Sequence, residues 1–262
     1  MNRYIRLILS SWKISIKNQM ELRGAFFSNL IGSLGNFLVN ILFFEIIYSH
    51  VETIAGWTRY QAFLLLGIFN TFMALVNMII RPSITTVQGL VERGGLDGLL
   101  VKPFNSQLLI SFISFNINAI PDLLFGAILI GFSLNGLSIL PSFLQWTMAI
   151  LVLIAALVIF YALWYISITI VIWTTTLWSW EHVVPNIFSF GRYPAEIFKG
   201  IIKIIFMTLV PVIIIANFPT KMLLGELSWG MVGFTFLLAF IFLCISILFW
   251  KKALKSYQSA SS

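Results

Sequence analysis

The chain has 262 residues, of which 60% are hydrophobic and 10% charged, and its mean hydropathy is +0.99. A soluble domain carries roughly a quarter charged residues, so sixteen Lys and Arg, nine Asp and Glu and two His are too few to cover a water-facing surface of this size. The net charge of +7 sits in short clusters between apolar runs rather than on one face, which argues against nucleic acid as a partner and for membrane lipid.

In chain order, the first element is amphipathic. Arg3, Arg6, Lys13 and Lys17 fall on one helical arc, and Ile5, Ile8, Trp12 and Ile16 on another. Residues 1–22 therefore read as a helix at the membrane interface, cations toward headgroups and apolar side chains in the lipid boundary. The alternative is a charged leader that only enforces orientation. Its cations precede the first long apolar run and no short apolar stretch is followed by a small-residue cleavage site, which argues against a signal peptide.

Spanning the hydrocarbon core takes about 20 apolar residues. Uncharged runs of that order occur at Gly24–Phe44, Tyr60–Ile80 and Leu227–Trp250, and Asn105–Leu134 is another, interrupted by Asp122. Leu123–Trp180 carries no charge at all; as one helix it would be roughly 87 Å long, so it must break, and Gly131–Pro141 has the turn residues to break it. The remainder, Ser142–Trp180, is either one tilted helix or a tight hairpin. Phe198–Phe218 is apolar apart from Lys199 and Lys203 and holds Pro211. Taken once each, these stretches predict an all-α polytopic bundle of about six transmembrane helices in a single transmembrane domain over 1–262, with a cytoplasmic tail at 251–262.

Orientation follows from Lys and Arg in the short connections. One side would hold Arg3, Arg6, Lys13, Lys17, Arg23, Arg81, Arg93, Lys102, Arg192, Lys199, Lys203, Lys251, Lys252 and Lys255; the other only Arg59 and Lys221. Both termini are expected in the cytoplasm, and the chain in the inner (plasma) membrane. Tyr48, Trp57 and Tyr60 near the outer boundary and Trp178 and Trp180 near the inner one read as interfacial anchors.

Catalytic patterns are missing from the sequence. There is no Gly-x-x-x-x-Gly-Lys-Ser/Thr loop for nucleotide phosphates, no His-Glu-x-x-His and no nucleophile elbow. His50 and His182 lack ligand spacing, so no metal site is expected, and the single Cys244 forms no intrachain disulfide. This reads as a non-enzyme with no cofactor of its own. Asp122 stands at mid-depth of an apolar run, where a charge costs about 2.5–3.5 kcal/mol on insertion scales and must face protein or water. It is either a lining residue of a path or an acid bonded to a neighbouring helix through Asn116 or Asn118.

The longest cytoplasmic connection, Arg81–Phe104, has a short amphipathic segment at Val87–Arg93, a Gly94–Gly95 break, then Leu96–Leu100 and Lys102–Pro103. Its stretch GGLDGLLVKPFNSQL resembles the cytoplasmic loop of ABC type-2 exporter permeases with a G-x-L-D-x-x-L-x-x-P-x-N pattern: Gly94 or Gly95, Leu96, Asp97, Leu100, Pro103 and Asn105 match, and Lys102 stands where Arg is common. A second stretch, from Tyr193 and Pro194 through Ile197, Phe198, Pro211 and Pro219 to Leu223–Gly225, is similar to the same family.

The resemblance implies that residues 81–104 are the coupling loop, with Gly94, Gly95, Leu96, Asp97, Leu100, Lys102 and Pro103 at the interface with a cytoplasmic ABC ATPase subunit. It implies ATP used by that partner and a second permease subunit, identical or related, with substrate moving near the interface between the two. The competing function is an ion- or proton-coupled secondary carrier, which would place several ionisable groups in the membrane where this chain offers Asp122. In many members of the wider class the Pro-containing segment before the last helix is re-entrant from the outside. Arg192, Lys199 and Lys203 argue instead for a full span rising from the cytoplasm; if the segment is re-entrant, Ser142–Trp180 and the residues after it must supply the missing crossing.

Overall fold

The computed structural model describes residues 2–21, 23–92, 98, 105–170 and 180–256. Within them the chain is mostly helical, with one two-stranded hairpin and short irregular links, as suits a chain in lipid that must satisfy its backbone internally. Helix α1 (Asn2–Glu21) is the amphipathic segment, and α2 (Arg23–Tyr48) is the first span. An antiparallel hairpin pairs Thr53 with Thr58 and Ile54 with Trp57. Its central residues Ala55 and Gly56 have φ of 51° and 87°, the left-handed pair that a tight two-residue hairpin requires.

Helix α3 (Arg59–Leu75) opens with a capping box between Thr58 and Gln61. It does not stop at Ile80. A π-turn at Val76–Ile80 carries it into α4 (Arg81–Glu92), so the connection expected from Arg81 begins as helix. Pro82 explains the wide turn: it has no N–H for the carbonyl of Met78, and its ring crowds that carbonyl. The freed oxygen accepts from the Asn116 backbone N–H instead, at 2.9 Å.

The expected span Asn105–Leu134 is two helices. Asn105 caps α5 (Ser106–Ser111), its side chain accepting from the Leu108 N–H at 3.3 Å. After an irregular stretch Asn116 caps a 3-10 turn, and Pro121, in the first turn, begins α6 (Ile120–Leu137). Helix α6 lies tightly on α3 through glycines: a Cβ on Gly126 would come within 2.5 Å of Thr71 Oγ1, and one on Gly67 within 2.9 Å of Ile130. Such small-residue contacts let membrane helices approach closely.

The break expected before Pro141 falls at Ser138, which is left-handed (φ 55°). Ser142 and Gln145 then form the capping box of α7 (Phe143–Thr169). This helix is the centre of the core: Phe160 meets Phe72, Trp164 and Phe188 edge-to-face at centroid distances of 5.6, 5.3 and 4.9 Å. After α8 (Trp180–Phe188) and two 3-10 turns come α9 (Gly200–Thr208), α10 (Val212–Leu223) and α11 (Trp229–Ser256).

Among the described residues, five helical stretches are long and apolar enough to cross a membrane: Phe26–Tyr48, Arg59–Thr86, Ile117–Leu137, Phe143–Thr169 and Trp229–Lys255. The bundle has two distinct ends. At one, the 53–58 hairpin meets Glu196 and Lys221, and Gly225 meets Gln145. At the other, Trp12 donates to the Phe112 carbonyl at 2.8 Å and Trp250 to Ser106 at 3.1 Å, so α1 and the last turns of α11 share an end.

The segment expected as a full span, Phe198–Phe218, is folded back. Helices α9 and α10 meet at 82°. As one straight helix, Glu196 and Lys221 would be about 37 Å apart; they form an ion pair at 2.5 Å. Both limbs therefore start and finish at the hairpin end. The chain leaves α7 at the α1 end and stands at the hairpin end by Glu196, so the return crossing comes earlier, in a stretch that includes α8. Arg192 and Lys199, assigned to the α1 side from charge alone, follow Glu196 to the other half of the bundle.

Candidate functional site

Gly94, Gly95, Leu96, Asp97, Leu100, Lys102 and Pro103 lie outside the described residues. Their flanks are firmly held. On the approach, Ser83 and Thr86 of α4 reach Ser114 at 3.4 and 3.3 Å. On the departure, Gln107 is buried and donates to Tyr161 of α7 at 3.2 Å and to Ser246 of α11 at 3.0 Å, while Ser111 shares a 2.6 Å hydrogen bond with Tyr161. Two core helices thus grip α5.

Asp122 is not at mid-depth. It sits in the first turn of α6, where the helix N-terminus favours a carboxylate, and it lines a polar cavity of about 690 Å³ together with Asn77, Arg81, Thr85, Asn116 and Asn118. A second polar cavity, about 190 Å³, continues from it and shares Ser33, Asn77 and Asp122. Asp122 thus stands where the two cavities share a wall.

The wall that runs the length of both cavities belongs to α2. Asn29, Ser33, Asn36 and Asn40 line them, and at 3.6 residues per turn they fall within an arc of about 60° along about 16 Å of helix. Asn70 of α3 and Asn77 of the π-turn face them across the smaller cavity. Asn40 donates back to the Asn36 carbonyl at 2.7 Å and accepts from Arg192 Nη1 at 2.9 Å. An amide stripe inside a transmembrane bundle is costly against lipid and marks a hydrated or protein-covered face. Charge counting misses it, because Asn carries no charge; its spacing of four, three and four residues was the available signal.

At the hairpin end a clamp closes the folded-back segment. Glu196 accepts from Trp57 Nε1 at 2.7 Å and from Lys221 Nζ at 2.5 Å. Burial pushes the Glu196 carboxyl up, but the hydrogen bonds from Lys221 and Trp57 and the lysine charge outweigh it, so its pKa lies below the usual glutamate value. Nearby, Glu45 pairs with Arg59 at the surface.

A bundle of this form, with several crossings, a polar groove along one helix and a short hairpin folded into one face, defines a multi-pass membrane protein. The family model described as "ABC-2 family transporter protein" matches residues 34–261, and the chain belongs to that family. No curated protein and no solved structure matches it.

Proposed function

We propose that this chain is the membrane-spanning permease subunit of an ABC-type exporter, with substrate moving along the α2 groove and energy supplied by ATP hydrolysis in a separate cytoplasmic ATPase subunit. Family membership supports the class; the groove carries the reading for this chain. Only 6% of the most apolar stretch of Phe26–Tyr48 is buried, against 61% for Arg59–Thr86, so α2 presents a polar stripe from the margin of the bundle. A second permease subunit, identical or related, would seal that side and make the groove a path between subunits.

The end carrying α1, α4 and the last turns of α11 is cytoplasmic in this reading. It keeps Arg6, Lys13, Lys17, Arg81, Lys251, Lys252 and Lys255, which satisfies the positive-inside rule without Arg192 or Lys199. The ATPase docks on Gly94–Pro103. Its thrust passes through α5, whose hydrogen bonds to Tyr161 and Ser246 make α7 and α11 move with it.

Gentle extraction from the native plasma membrane should retain an ATPase subunit with the permease. Changing Leu96 and Leu100 to aspartate should remove most of the retained ATPase while insertion and thermal stability stay as in the parent. An intact preparation that never carries an ATPase, or double variants that bind it as before, would defeat the exporter reading. Transport that persists without ATP and is lost in Asp122→Asn would favour an ion-coupled carrier instead.

A further inference from the structure

Arg192 has a guanidinium within the bundle and no ion-pair partner among the described residues. Its Nε donates to the Ser189 carbonyl at 2.9 Å and its Nη1 to Asn40 at 2.9 Å; Nη2 makes no hydrogen bond among the described residues. The guanidinium carbon stands 5.8 Å from the ring centres of both Phe69 and Tyr193. Asn40 lies about 12 Å along α2 from its end at Tyr48. A cation at such depth needs an opposing anion or water, and guanidinium is the side chain best shaped for carboxylate or phosphate oxygens.

Arg192 touches one lining residue of each of two unlike cavities, Asn40 of the polar groove and Tyr193 of an apolar cavity. Asn40 closes the upper end of the polar groove. One turn further along α2 opens a cavity of about 440 Å³ whose lining includes Phe43, Phe44, Ile47, Tyr193, Ile197 and Phe198. That volume is in the range of about 300–1,000 Å³ typical of ligand pockets, and its wall is almost wholly apolar. The groove offers amides, the junction an unopposed cation, and the upper cavity aromatic and aliphatic surface.

We infer that this junction binds an anionic amphiphile. Its phosphate or carboxylate head meets Arg192, polar parts of the head reach Asn40 and Asn36, and its acyl chain lies in the aromatic cavity. Charge complementarity selects this occupant over a zwitterionic lipid, and the apolar cavity selects it over a free anion. Occupation of the site stands independently of the export reading; only the further step, that such an amphiphile is the exported substrate, rests on it.

The test uses the full chain in phosphatidylcholine nanodiscs, with oleoyl lysophosphatidic acid and oleoyl lysophosphatidylcholine as probes and inorganic phosphate as competitor, bound ligand being counted by native mass spectrometry. The anionic probe should bind saturably and about ten- to a hundredfold more tightly than the zwitterionic one, the worth of a charge-assisted hydrogen bond. Arg192→Gln should collapse that preference, Arg192→Lys should keep part of it, and Ile197→Trp should weaken both probes alike. Equal affinities, a preference unchanged in Arg192→Gln, non-saturating uptake as for bulk lipid, or displacement by inorganic phosphate would each overturn the site. ATPase retention measured on the same preparations separates the two ideas. Its loss with selective binding intact defeats the export reading alone, and the reverse defeats the amphiphile site alone.

Discussion

Glu196 joins residues that are far apart in sequence, holding Trp57 and Lys221 at once. Removing its charge while keeping its shape, as Glu196→Gln does, leaves Lys221 without a counter-ion and should destabilise the protein by about 1–2 kcal/mol, since a hydrogen bond to a charged group is worth about 1.5–3 kcal/mol and partial exposure discounts it. The pH dependence follows from the lowered pKa. A carboxylate that binds its proton less readily when folded contributes stability above the ordinary glutamate range, and the contribution fades as pH falls through the folded value. Thermal unfolding in nanodiscs should therefore show a lower melting temperature for Glu196→Gln at neutral pH, with the gap to the parent closing in acid. A constant gap down to that range would mean the charge does not hold the clamp. Nothing local in the sequence pointed to this triad, because pairing over such separations is decided by how the segments fold. Asp122 was legible as a residue that must avoid lipid, yet its depth was misjudged: Pro121 beside it was the sign of a helix start rather than an interruption.

Helix existence was largely readable from the length of the apolar runs, and the break before Pro141 from its turn residues, since both follow from local chemistry. The folded-back segment was not, because the positive-inside rule counts Lys199 and Lys203 without seeing that Glu196 and Lys221 meet. The continuation of α3 past Ile80 was hidden by Pro82, whose cost is met by a partner from another segment, Asn116. Packing between elements is equally invisible to hydropathy, and the α3–α6 seam gives a direct test of it. Ala at Gly126 would push its Cβ to 2.5 Å from Thr71 Oγ1 and 2.9 Å from the Thr71 backbone nitrogen. Backbone cannot swing aside, so Gly126→Ala should cost about 1–3 kcal/mol by overpacking. Gly131, on the same helix, has nothing within 4 Å of its Cβ position, and Gly131→Ala should be neutral or stabilising by up to about 1 kcal/mol through helix propensity. Equal melting temperatures for the two variants would show that the helices are not seated on each other through glycine.

For the molecule as a whole, the groove runs from the α1 end of the bundle to Asn40, and its function depends on whether water enters it in a bilayer. Cysteine reactivity reads this directly, because a thiol reacts as thiolate and thiolate forms only where water or a cation supports it. Asn36 lines the smaller polar cavity, whereas Leu38, 47% exposed, is two positions along and about 200° around α2 on its apolar side. The two are about 3 Å apart in depth, so the bilayer treats them alike and only the groove distinguishes them. In a Cys244→Ser background, Asn36→Cys should react with a water-soluble, membrane-impermeant thiol reagent applied to both faces at least about tenfold faster than Leu38→Cys, a ratio corresponding to about 1.4 kcal/mol in accessible population. Slow, equal rates at both positions would place the amide stripe against protein or lipid rather than water and remove the groove as a route. Fast reaction at Asn36→Cys that a second permease subunit does not abolish would fit a path enclosed between subunits, since sealing the open side of α2 excludes lipid from the amides while leaving the groove continuous with the end that carries Arg81 and Thr85.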